Sequence, residues 1–527
     1  MALLLAGAVV GVEIVLRARI GRPLWYDELW RPHFAGEPAA SFWSELRRAN
    51  APSSLGTTAL TRLAGDVLGW HAWSLRLVGA VIWVPVLAAG TYLTARRFTG
   101  RVAAAGATVA VAGSVTVVDS GTQLKPYALE AVVTLAIIAL WAARAHRLRN
   151  RTLAGALALV SMPAVFLLVP LAVRDALRER LAAWRSIPAL LIAGIHVKLW
   201  IGHQSGQRAS HFWDDQFLAD RGLLGGLRFI GDQVRAILGG APPGIDRYDP
   251  NLIHSLLEGH RVLTTLVGSA TTVAVAVGVR TLWRRPGGAT VLVALGGAEL
   301  LALAASAGRY WPFGACRTNL FVVPLLVIVA ATGADELARV AWRAARSTGV
   351  SRTAAVQATS ALSLLCLVGL AAVPLSAAGG LGRLWRERDA VRPIDGMVMA
   401  TVAARTLYRP GDTMLVGGRL ARAGWLYGME LSDDTEGTHA ARIPRSATVF
   451  LAAVGQPSGR GREGAAAAVR ARPRPAGSMV LLFVLAYDRR GAPAELAALR
   501  HDGWCPASTR TFALTGTLYG LRRCPPA

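Results

Sequence analysis

Long apolar stretches alternate with short polar segments along the first 380 residues of the chain. A helix needs about 20 mostly apolar residues to cross the hydrocarbon core of a bilayer. This pattern predicts spans at Ala2–Ile20, Leu75–Ala95, Val102–Val118, Tyr127–Ala143, Ile187–Ile201, Val262–Val279, Ala289–Ala305, Leu320–Val340 and Ala354–Ala378. One more apolar stretch, between Arg151 and Arg174, is interrupted at Pro163. We therefore expect a polytopic α-helical membrane protein with about 9–11 membrane helices.

Basic residues between the apolar stretches form five clusters that predict the topology. The clusters are Arg96/Arg97/Arg101, Arg144/Arg147/Arg149/Arg151, Arg174/Arg178/Arg180/Arg185, Arg280/Arg284/Arg285 and Arg339/Arg343/Arg346/Arg352. Cytoplasmic loops carry an excess of arginine and lysine, so we expect all five on the cytoplasmic side. Both flanks of the Pro163 stretch must then face the cytoplasm, which predicts a re-entrant pair of short helices turning near Ser161-Met162-Pro163. The alternative is a plain span that violates the charge rule.

The same topology places several segments outside the cytoplasm: Gly21–Ser74, Asp119–Pro126, Gly202–His260, Gly308–Asn319 and everything after about Leu381. Beyond Trp385 the apolar runs shorten to strand length, which is typical of a small α/β domain. The expected strands are Met414–Val416, Thr448–Val454 and Met479–Leu485, followed by a hairpin from Phe512 to Leu521. The predicted domains are a membrane domain over 1–380, with outer loops 21–74 and 202–260, and an extracytoplasmic α/β domain over 385–527.

The composition is typical of a membrane protein and unlike that of a soluble domain or a nucleic-acid-binding protein. Hydrophobic residues make up 53% of the chain and charged residues 17%, below the roughly 25% of soluble domains. The net charge of +25 would suggest nucleic acid if it formed one face, but the arginines are divided among the short clusters. Cys505 and Cys524 bracket the terminal hairpin in a compartment where disulfides persist, so we expect a bridge between them.

Candidate chemistry begins directly after the first span. Asp27 and Glu28 are adjacent carboxylates flanked by Trp25, Tyr26 and Trp30. Acids at an apolar boundary are costly unless they are solvated, paired or functional. One interpretation is therefore an active site, and the other is an interfacial turn with two solvated acids. Amphipathic stretches at Ala40–Arg48 and Leu55–Leu68 follow, and we expect both to be helices lying on the membrane.

Two further outer loops carry cations against the general charge bias. Lys125, in the Lys-Pro-Tyr start of the fourth span, is one of only two lysines in the chain. Arg309 and Arg317 lie in the loop Gly308–Asn319, and an arginine fork suits phosphate. The alternatives are a snorkelling lysine and arginines that pair generically with lipid headgroups. Carboxylates and cations on one face of the membrane suit chemistry on a lipid-linked phosphate, in which the cations bind the phosphate and a carboxylate takes a proton.

Together these motifs resemble the GT-C superfamily of membrane glycosyltransferases. The resemblance rests on the acidic pair, the amphipathic first loop, the Leu-Arg-Leu entry to the second span, the Lys-Pro-Tyr motif and Tyr-Trp-Pro-Phe-Gly-Ala-Cys-Arg. It is nearest to bacterial polyprenyl-phosphate-sugar transferases of the family-39-like, RgtA/B/C/D-like and ArnT-like kind, and covers about Met1–Leu337. Many relatives have Pro-Pro-Leu-Tyr where this chain has Pro52-Ser53-Ser54-Leu55.

The resemblance implies an inverting sugar transfer from a polyprenyl-phosphate donor to a hydroxyl acceptor on the outer face. It implies that Asp27 is the general base and that Glu28 assists it. Lys125 and Arg317, with Arg309 as a weaker candidate, would neutralise the leaving phosphate, and Tyr127 would hydrogen-bond the donor. Some relatives use a divalent metal between carboxylate and phosphate, and the sequence leaves metal use open.

The loop 202–260 resembles the variable loop that caps the site in such enzymes. In it, Trp213 is a candidate for stacking on a sugar, and Asp214 and Asp215 are reserve bases. The other interpretation is a solvated turn before a helix near Leu223–Leu238.

Two other classes of function compete with the transferase. A transporter or flippase for a lipid-linked saccharide would show internal repeats, which are absent from the sequence. A non-catalytic scaffold would bind a partner through its outer domain. The acceptor of the transferase (lipid, glycan or protein) and the sugar are not specified by the sequence. The expected surroundings are membrane lipids, without nucleic acid.

Overall fold

The computed structural model describes two compact units. Its described residues are 1–24, 26–37, 39–47, 52–143, 145–204, 214–238, 261–314, 317–347, 393–417, 421–434, 440–451, 464–472, 475, 477–486, 491–513 and 515–525. The first unit comprises Met1–Arg22 and Phe34–Arg386, and the second comprises Pro23–His33 and Glu387–Ala527. The short segment Pro23–His33 groups with the C-terminal residues.

The first unit is built of helices. They are α1 (Ala2–Val15), α2 (Arg17–Ile20), α4 (Ala39–Arg47), α5 (Leu55–Leu68), α6 (Ala72–Arg76), α7 (Trp83–Ala95), α8 (Arg101–Ala112), α9 (Val115–Gly121), α10 (Tyr127–Ala142), α11 (Arg147–Leu157), α12 (Ala164–Arg178), α13 (Ile187–Ile195), α14 (Gly222–Leu238), α15 (Arg261–Arg284), α16 (Gly288–Ala307) and α17 (Val323–Ser347). Most of α3 (Tyr26–Gly36) belongs to the second unit. The predicted span Ala354–Ala378 lies outside the described residues.

Several helices confirm the predicted membrane character. In the described part of the chain, the stretches Ala72–Ala95, Gly288–Ala307 and Arg317–Ala344 are long and apolar enough to cross a membrane. The helical pitch changes within or next to several of the predicted spans. Leu77–Val81 and His196–Ile201 are π-helical, and Arg180–Ser186 and Arg317–Val322 are 3₁₀ helices. Such changes are frequent at functional sites and helix ends, and hydrophobic periodicity does not reveal them.

The predicted re-entrant pair is a helical hairpin. Its helices α11 and α12 are joined by a turn that contains Ser161-Met162-Pro163. The two ends of the hairpin that lie away from its turn meet, because Arg151 pairs with Asp175 at 3.0 Å and Arg147 pairs with Glu179. Both flanks of the interrupted stretch therefore lie at the same end of the first unit, as the charge pattern predicted.

The described residues of the five basic clusters all lie at this same end of the helices. Each cluster contacts another cluster. The contact is made either by a residue of the cluster or by a residue a few positions away in the chain. The linking contacts are Gly100 to Asp335 (3.1 Å), Arg285 to Glu336 (3.6 Å), Arg174 to Thr290 (2.8 Å) and Arg147 to Glu179. This grouping is the one that the positive-inside rule requires if that end faces the cytoplasm.

Small residues allow α15 and α17 to pack closely. A Cβ atom added to Gly278 would lie 2.0 Å from the carbonyl oxygen of Val329, and one added to Gly333 would lie 1.7 Å from that of Ala274. Small residues at helix interfaces let backbones approach in membranes, where van der Waals packing drives association. These two glycines therefore set the distance between the helices.

The second unit contains a five-stranded mixed sheet. Its strands are β1 (Thr413–Gly417), β2 (Thr448–Leu451), β3 (Val480–Leu485), β4 (Trp504–Phe512) and β5 (Gly516–Arg523), in the order β2-β1-β3-β5-β4. Strand β1 pairs in parallel with β2 and β3, and β5 pairs antiparallel with β3 and β4. Its helices are α18 (Pro393–Leu407), α19 (Ala421–Leu431), α20 (Ala465–Arg470) and α21 (Ala492–His501). The expected α/β domain is confirmed.

The terminal hairpin differs from the predicted one in its first strand. Strand β4 begins at Trp504, well before the predicted Phe512, and its middle residues are exposed. Pro506 and the polar residues after it conceal the strand in the sequence. An edge strand tolerates them because one of its sides makes no ladder hydrogen bonds.

Cys505 and Cys524 form the predicted disulfide between the two strands of this hairpin. A link across 19 residues restricts the unfolded chain. Replacing both cysteines with alanine should therefore lower the free energy of unfolding of the hairpin by about 3 kcal/mol. Hydrogen exchange of β4 and β5 in the full-length protein measures this loss of protection. The matched control is Cys316→Ala with Cys366→Ala, and unchanged exchange in the Cys505/Cys524 variant would contradict the prediction.

Candidate active site

The acidic pair lies in the first turn of α3, which begins at Tyr26. Negative charge is favourable there because the first backbone N–H groups of a helix point toward it. Glu28 is fully buried, and Arg31 and His33 of the same segment are buried too. The side chain of Asp27 lies outside the described part of the structure. The solvated-turn interpretation does not fit Glu28, since its side chain is 0% exposed.

The loop that carries Lys125 is compact and held by its own hydrogen bonds. Gln123 donates through Nε2 to Oδ2 of Asp119 at 2.8 Å, and Thr122 donates to the Asp119 carbonyl at 2.9 Å. The N–H of Lys125 donates to the carbonyl of Gln123 at 2.8 Å. The Lys125 side chain is only 4% exposed, so it does not snorkel freely into water.

Lys125 lies at the end of α10 that is remote from the basic clusters. The other end of this helix reaches the clusters, because Arg151 donates to the carbonyl of Trp141 at 3.0 Å. The helix has 16 residues, which corresponds to about 24 Å. Tyr127, half-buried, is its first residue, and the buried Glu130 lies in its first turn.

Arg317 begins the 3₁₀ helix Arg317–Val322, which packs against α10. Its side chain is 8% exposed. Arg317 is therefore a buried cation on an element that contacts α10. Lys125 is a buried cation in the loop that directly precedes α10. Both lie at the end of the first unit that is opposite the basic clusters.

Asn319 organises the loop that precedes Arg317. Its Oδ1 accepts from Trp311 Nε1 at 2.7 Å, and its Nδ2 donates to the carbonyls of Pro312 (3.0 Å) and Gly314 (2.9 Å). Gly314 has a φ of +92°, a conformation that glycine adopts without strain. These bonds hold the loop in one shape and thus determine where Arg317 emerges from it.

Arg309 has a different environment from Arg317. It is half exposed, it pairs with Asp220, and its Nη1 lies 3.8 Å from Oδ1 of Asp214. The hydrogen bond to Asp220 and its negative charge raise the pKa of Arg309 further above its usual value. Arg309 therefore joins its own loop to the segment that contains Asp214 and Asp220, a role that the sequence did not indicate. Asp214 and Asp215 lie in a 3₁₀ helix; Trp213 and the side chain of Asp215 are outside the described residues.

Comparison with solved structures identifies the fold. The chain is similar to the crystal structure of ArnT from Cupriavidus metallidurans bound to undecaprenyl phosphate, with a TM-score of 0.52, 15% identity and 97% of both chains covered. The apo structure of the same ArnT matches with a TM-score of 0.52, 14% identity and the same coverage. The chain has the ArnT fold. No protein-family model matches the chain, and no curated protein matches its sequence.

The ArnT fold agrees with the fold that the resemblance of the first 337 residues implied, and the match extends through the C-terminal unit. It also places the chain among membrane proteins, in agreement with the apolar helices. The low identity means that the likeness concerns the fold, while the roles of individual residues stay predictions.

A buried polar network surrounds Ser53 and Leu55 in the segment Pro52-Ser53-Ser54-Leu55. The N–H of Ser53 donates to Gln204 Oε1, and Gln204 Nε2 donates back to the Ser53 carbonyl, each at 2.8 Å. His196 Nε2 accepts from the N–H of Leu55 at 3.2 Å. Sequence reasoning missed Gln204 and His196, because nothing local connects them with a loop about 150 residues earlier.

The tip of the helical hairpin meets the same network. The N–H of Gly56 donates to the carbonyl of Leu159 at 2.6 Å, and a Cβ at Gly56 would lie 2.1 Å from Val160. The hairpin therefore extends from the basic end to the first turn of α5. Its polar turn is buried in protein, which is the condition for irregular backbone at membrane depth.

Metal binding was left open by the sequence. Among the residues that the structure describes, no group of three or more His, Cys, Asp and Glu side chains could hold a metal ion. Since the side chain of Asp27 is not among them, metal use by the acidic pair stays open.

Proposed function

We propose that this protein is a glycosyltransferase that moves a sugar from a polyprenyl-phosphate donor to a hydroxyl acceptor on the outer face of the membrane. The observation that carries the proposal is the pair of buried cations, Lys125 and Arg317, at the end of the helices remote from the basic clusters. The fold supports the donor class, because ArnT of the same fold was crystallised with undecaprenyl phosphate.

The proposed reaction is a single displacement with inversion. The acceptor oxygen attacks C1 of the sugar while Asp27 takes its proton, and the bond from C1 to the phosphate oxygen breaks. The electron pair of that bond leaves with the polyprenyl phosphate. Because the phosphate is a good leaving group, it needs neutralisation of its growing negative charge more than it needs a proton.

Lys125 and Arg317 are proposed to supply this neutralisation. Preorganised cations stabilise developing charge most strongly where water is excluded, and both side chains are nearly inaccessible to solvent. The loop bonds around Asp119 and Asn319 hold the two cations in place before the donor binds. Tyr127 is proposed to hydrogen-bond the donor, and Glu28 to support Asp27. Arg309 is a weaker candidate because two carboxylates already contact it.

Membrane vesicles that contain the full-length protein test the proposed reaction. These vesicles are incubated with a panel of radiolabelled polyprenyl-phosphate sugars that includes pentoses and hexoses. Vesicles that lack the protein are treated in the same way as the control. We expect time-dependent formation of a new glycosidic bond from at least one donor, with inverted anomeric configuration. Translocation of a donor without a new bond would favour the flippase, and no use of any donor would contradict the proposal.

A further inference from the structure

Helix α14 carries an exposed apolar face at the end of the first unit opposite the basic clusters. Leu223 and Leu224 are 80% and 81% exposed, and Leu227 is 58% exposed. Val234 continues this face two turns later and is also exposed. An apolar face of this size in contact with water is unfavourable, which indicates that something apolar covers it.

The opposite side of α14 is attached to the protein. Phe229 packs on Phe313, with 6.3 Å between ring centroids, and joins Ala302 of α16 in one cluster. Gln233 lies so close to Gly314 that a Cβ there would be 2.2 Å from its Oε1. The helix is therefore held at the end of the membrane-crossing helix α16, against the loop that leads to Arg317.

A charged stripe runs beside the apolar face. Arg228 and Arg235 are exposed and seven residues apart, so they lie on one line along the helix. Asp232 is exposed on the same side. Arg221 continues the line, but its guanidinium lies 4.3 Å over the ring of Phe229 and does not point outward. The stripe therefore presents two arginines and one carboxylate next to the leucines.

We propose that α14 is an interfacial helix whose leucines are inserted into the lipid leaflet and whose arginines contact the phosphates of anionic lipids. The lipid surface is the occupant that fits, because the apolar face continues from the end of a membrane-crossing helix and the charged stripe borders it. A helix with this division of faces lies in the interface with its apolar side buried about 5–10 Å. The inference does not depend on the proposed reaction.

Fluorescence depth measurement on the full-length protein in nanodiscs tests the insertion. With Cys316 and Cys366 replaced by serine, an NBD label is placed at Leu224→Cys or, as the matched control, at Asp232→Cys. Both positions are exposed, so neither label disturbs the packed side of the helix. We expect blue-shifted emission at 224 and about threefold stronger quenching there by acyl-chain nitroxides than at 232. Emission at 224 as in water would overturn the proposal.

The role of the arginines is tested with a label at Gly231→Cys, an exposed position between the two faces. Phosphatidylglycerol with a headgroup nitroxide should quench this label more than the matching phosphatidylcholine. Arg228→Gln with Arg235→Gln should bring the ratio to one, and Arg149→Gln, at the opposite end of the helices, should leave it unchanged. A ratio that persists in the double variant would overturn the contact with anionic lipid.

Discussion

Replacing Asp27 with asparagine should lower the rate of sugar transfer in membrane vesicles by about 10²–10⁴-fold while the protein stays folded and inserted. Asparagine keeps the size of the side chain but cannot accept the proton of the acceptor hydroxyl. Loss of a general base costs about 10²–10⁴-fold in rate. The measurement is the initial rate at saturating donor, together with the KM for the donor. The KM should change little, because the proposed role of Asp27 concerns the acceptor.

The control for this substitution is Asp66→Asn. Asp66 is an exposed carboxylate that pairs with Arg62 on the surface of α5, at 3.1 Å, and such pairs contribute little. Its replacement should leave transfer unchanged. Full activity of the Asp27 variant would show that another group takes the proton. A loss that follows Asp214→Asn instead would move the base to the outer loop.

Replacing Lys125 or Arg317 with glutamine should lower the turnover rate by about 10²–10³-fold, the range for loss of one preorganised group that stabilises transition-state charge. Lys125→Arg should also lower it, because the larger guanidinium must fit a loop in which the lysine is already 4% exposed. The measurement is single-turnover transfer from the donor. Binding of undecaprenyl phosphate, followed by thermal shift, reports separately whether each variant still holds the phosphate.

Lys198 supplies the matched control for the lysine substitution. It is the second lysine of the chain, and it is exposed in the π-helix His196–Ile201. Lys198→Arg should therefore transfer sugar at the wild-type rate. If Lys125→Gln and Arg317→Gln both retained full activity, the proposed phosphate site would be wrong, even if transfer itself had been observed.

The acidic pair Asp27 and Glu28 shows how much of the candidate site can be predicted from the neighbouring sequence. Adjacent carboxylates after an apolar span identify Asp27 and Glu28 as unusual, but the helix that begins at Tyr26 was not predicted from the sequence. The grouping of Pro23–His33 with the C-terminal unit has no local signal, since it depends on residues more than 350 positions away. The roles of Asp27, Lys125 and Arg317 stay predictions until the substitutions are measured.

Arg309 and Arg317 illustrate the same limit within one loop. Both are arginines in an outer segment, and the sequence favours phosphate binding by each. The structure pairs Arg309 with Asp220, 89 residues earlier, and buries Arg317 at the start of a 3₁₀ helix that packs against α10. Only the packing of distant segments separates the half-exposed Arg309, which joins two loops, from the buried Arg317.

The sequence by itself determined the apolar helices, three of which are long enough to cross a membrane in the described part of the chain, the common end of the described basic residues, the C-terminal α/β domain and the bridge between Cys505 and Cys524. These features depend on hydrophobicity, charge and residue type over short stretches of the chain, which are visible in the sequence itself. The tertiary structure alone decided that the hairpin tip meets Gly56, that Asn319 holds its loop, and that α14 keeps its leucines exposed. Those outcomes depend on which surfaces meet, and contacts between residues far apart in the chain have no local pattern in the sequence.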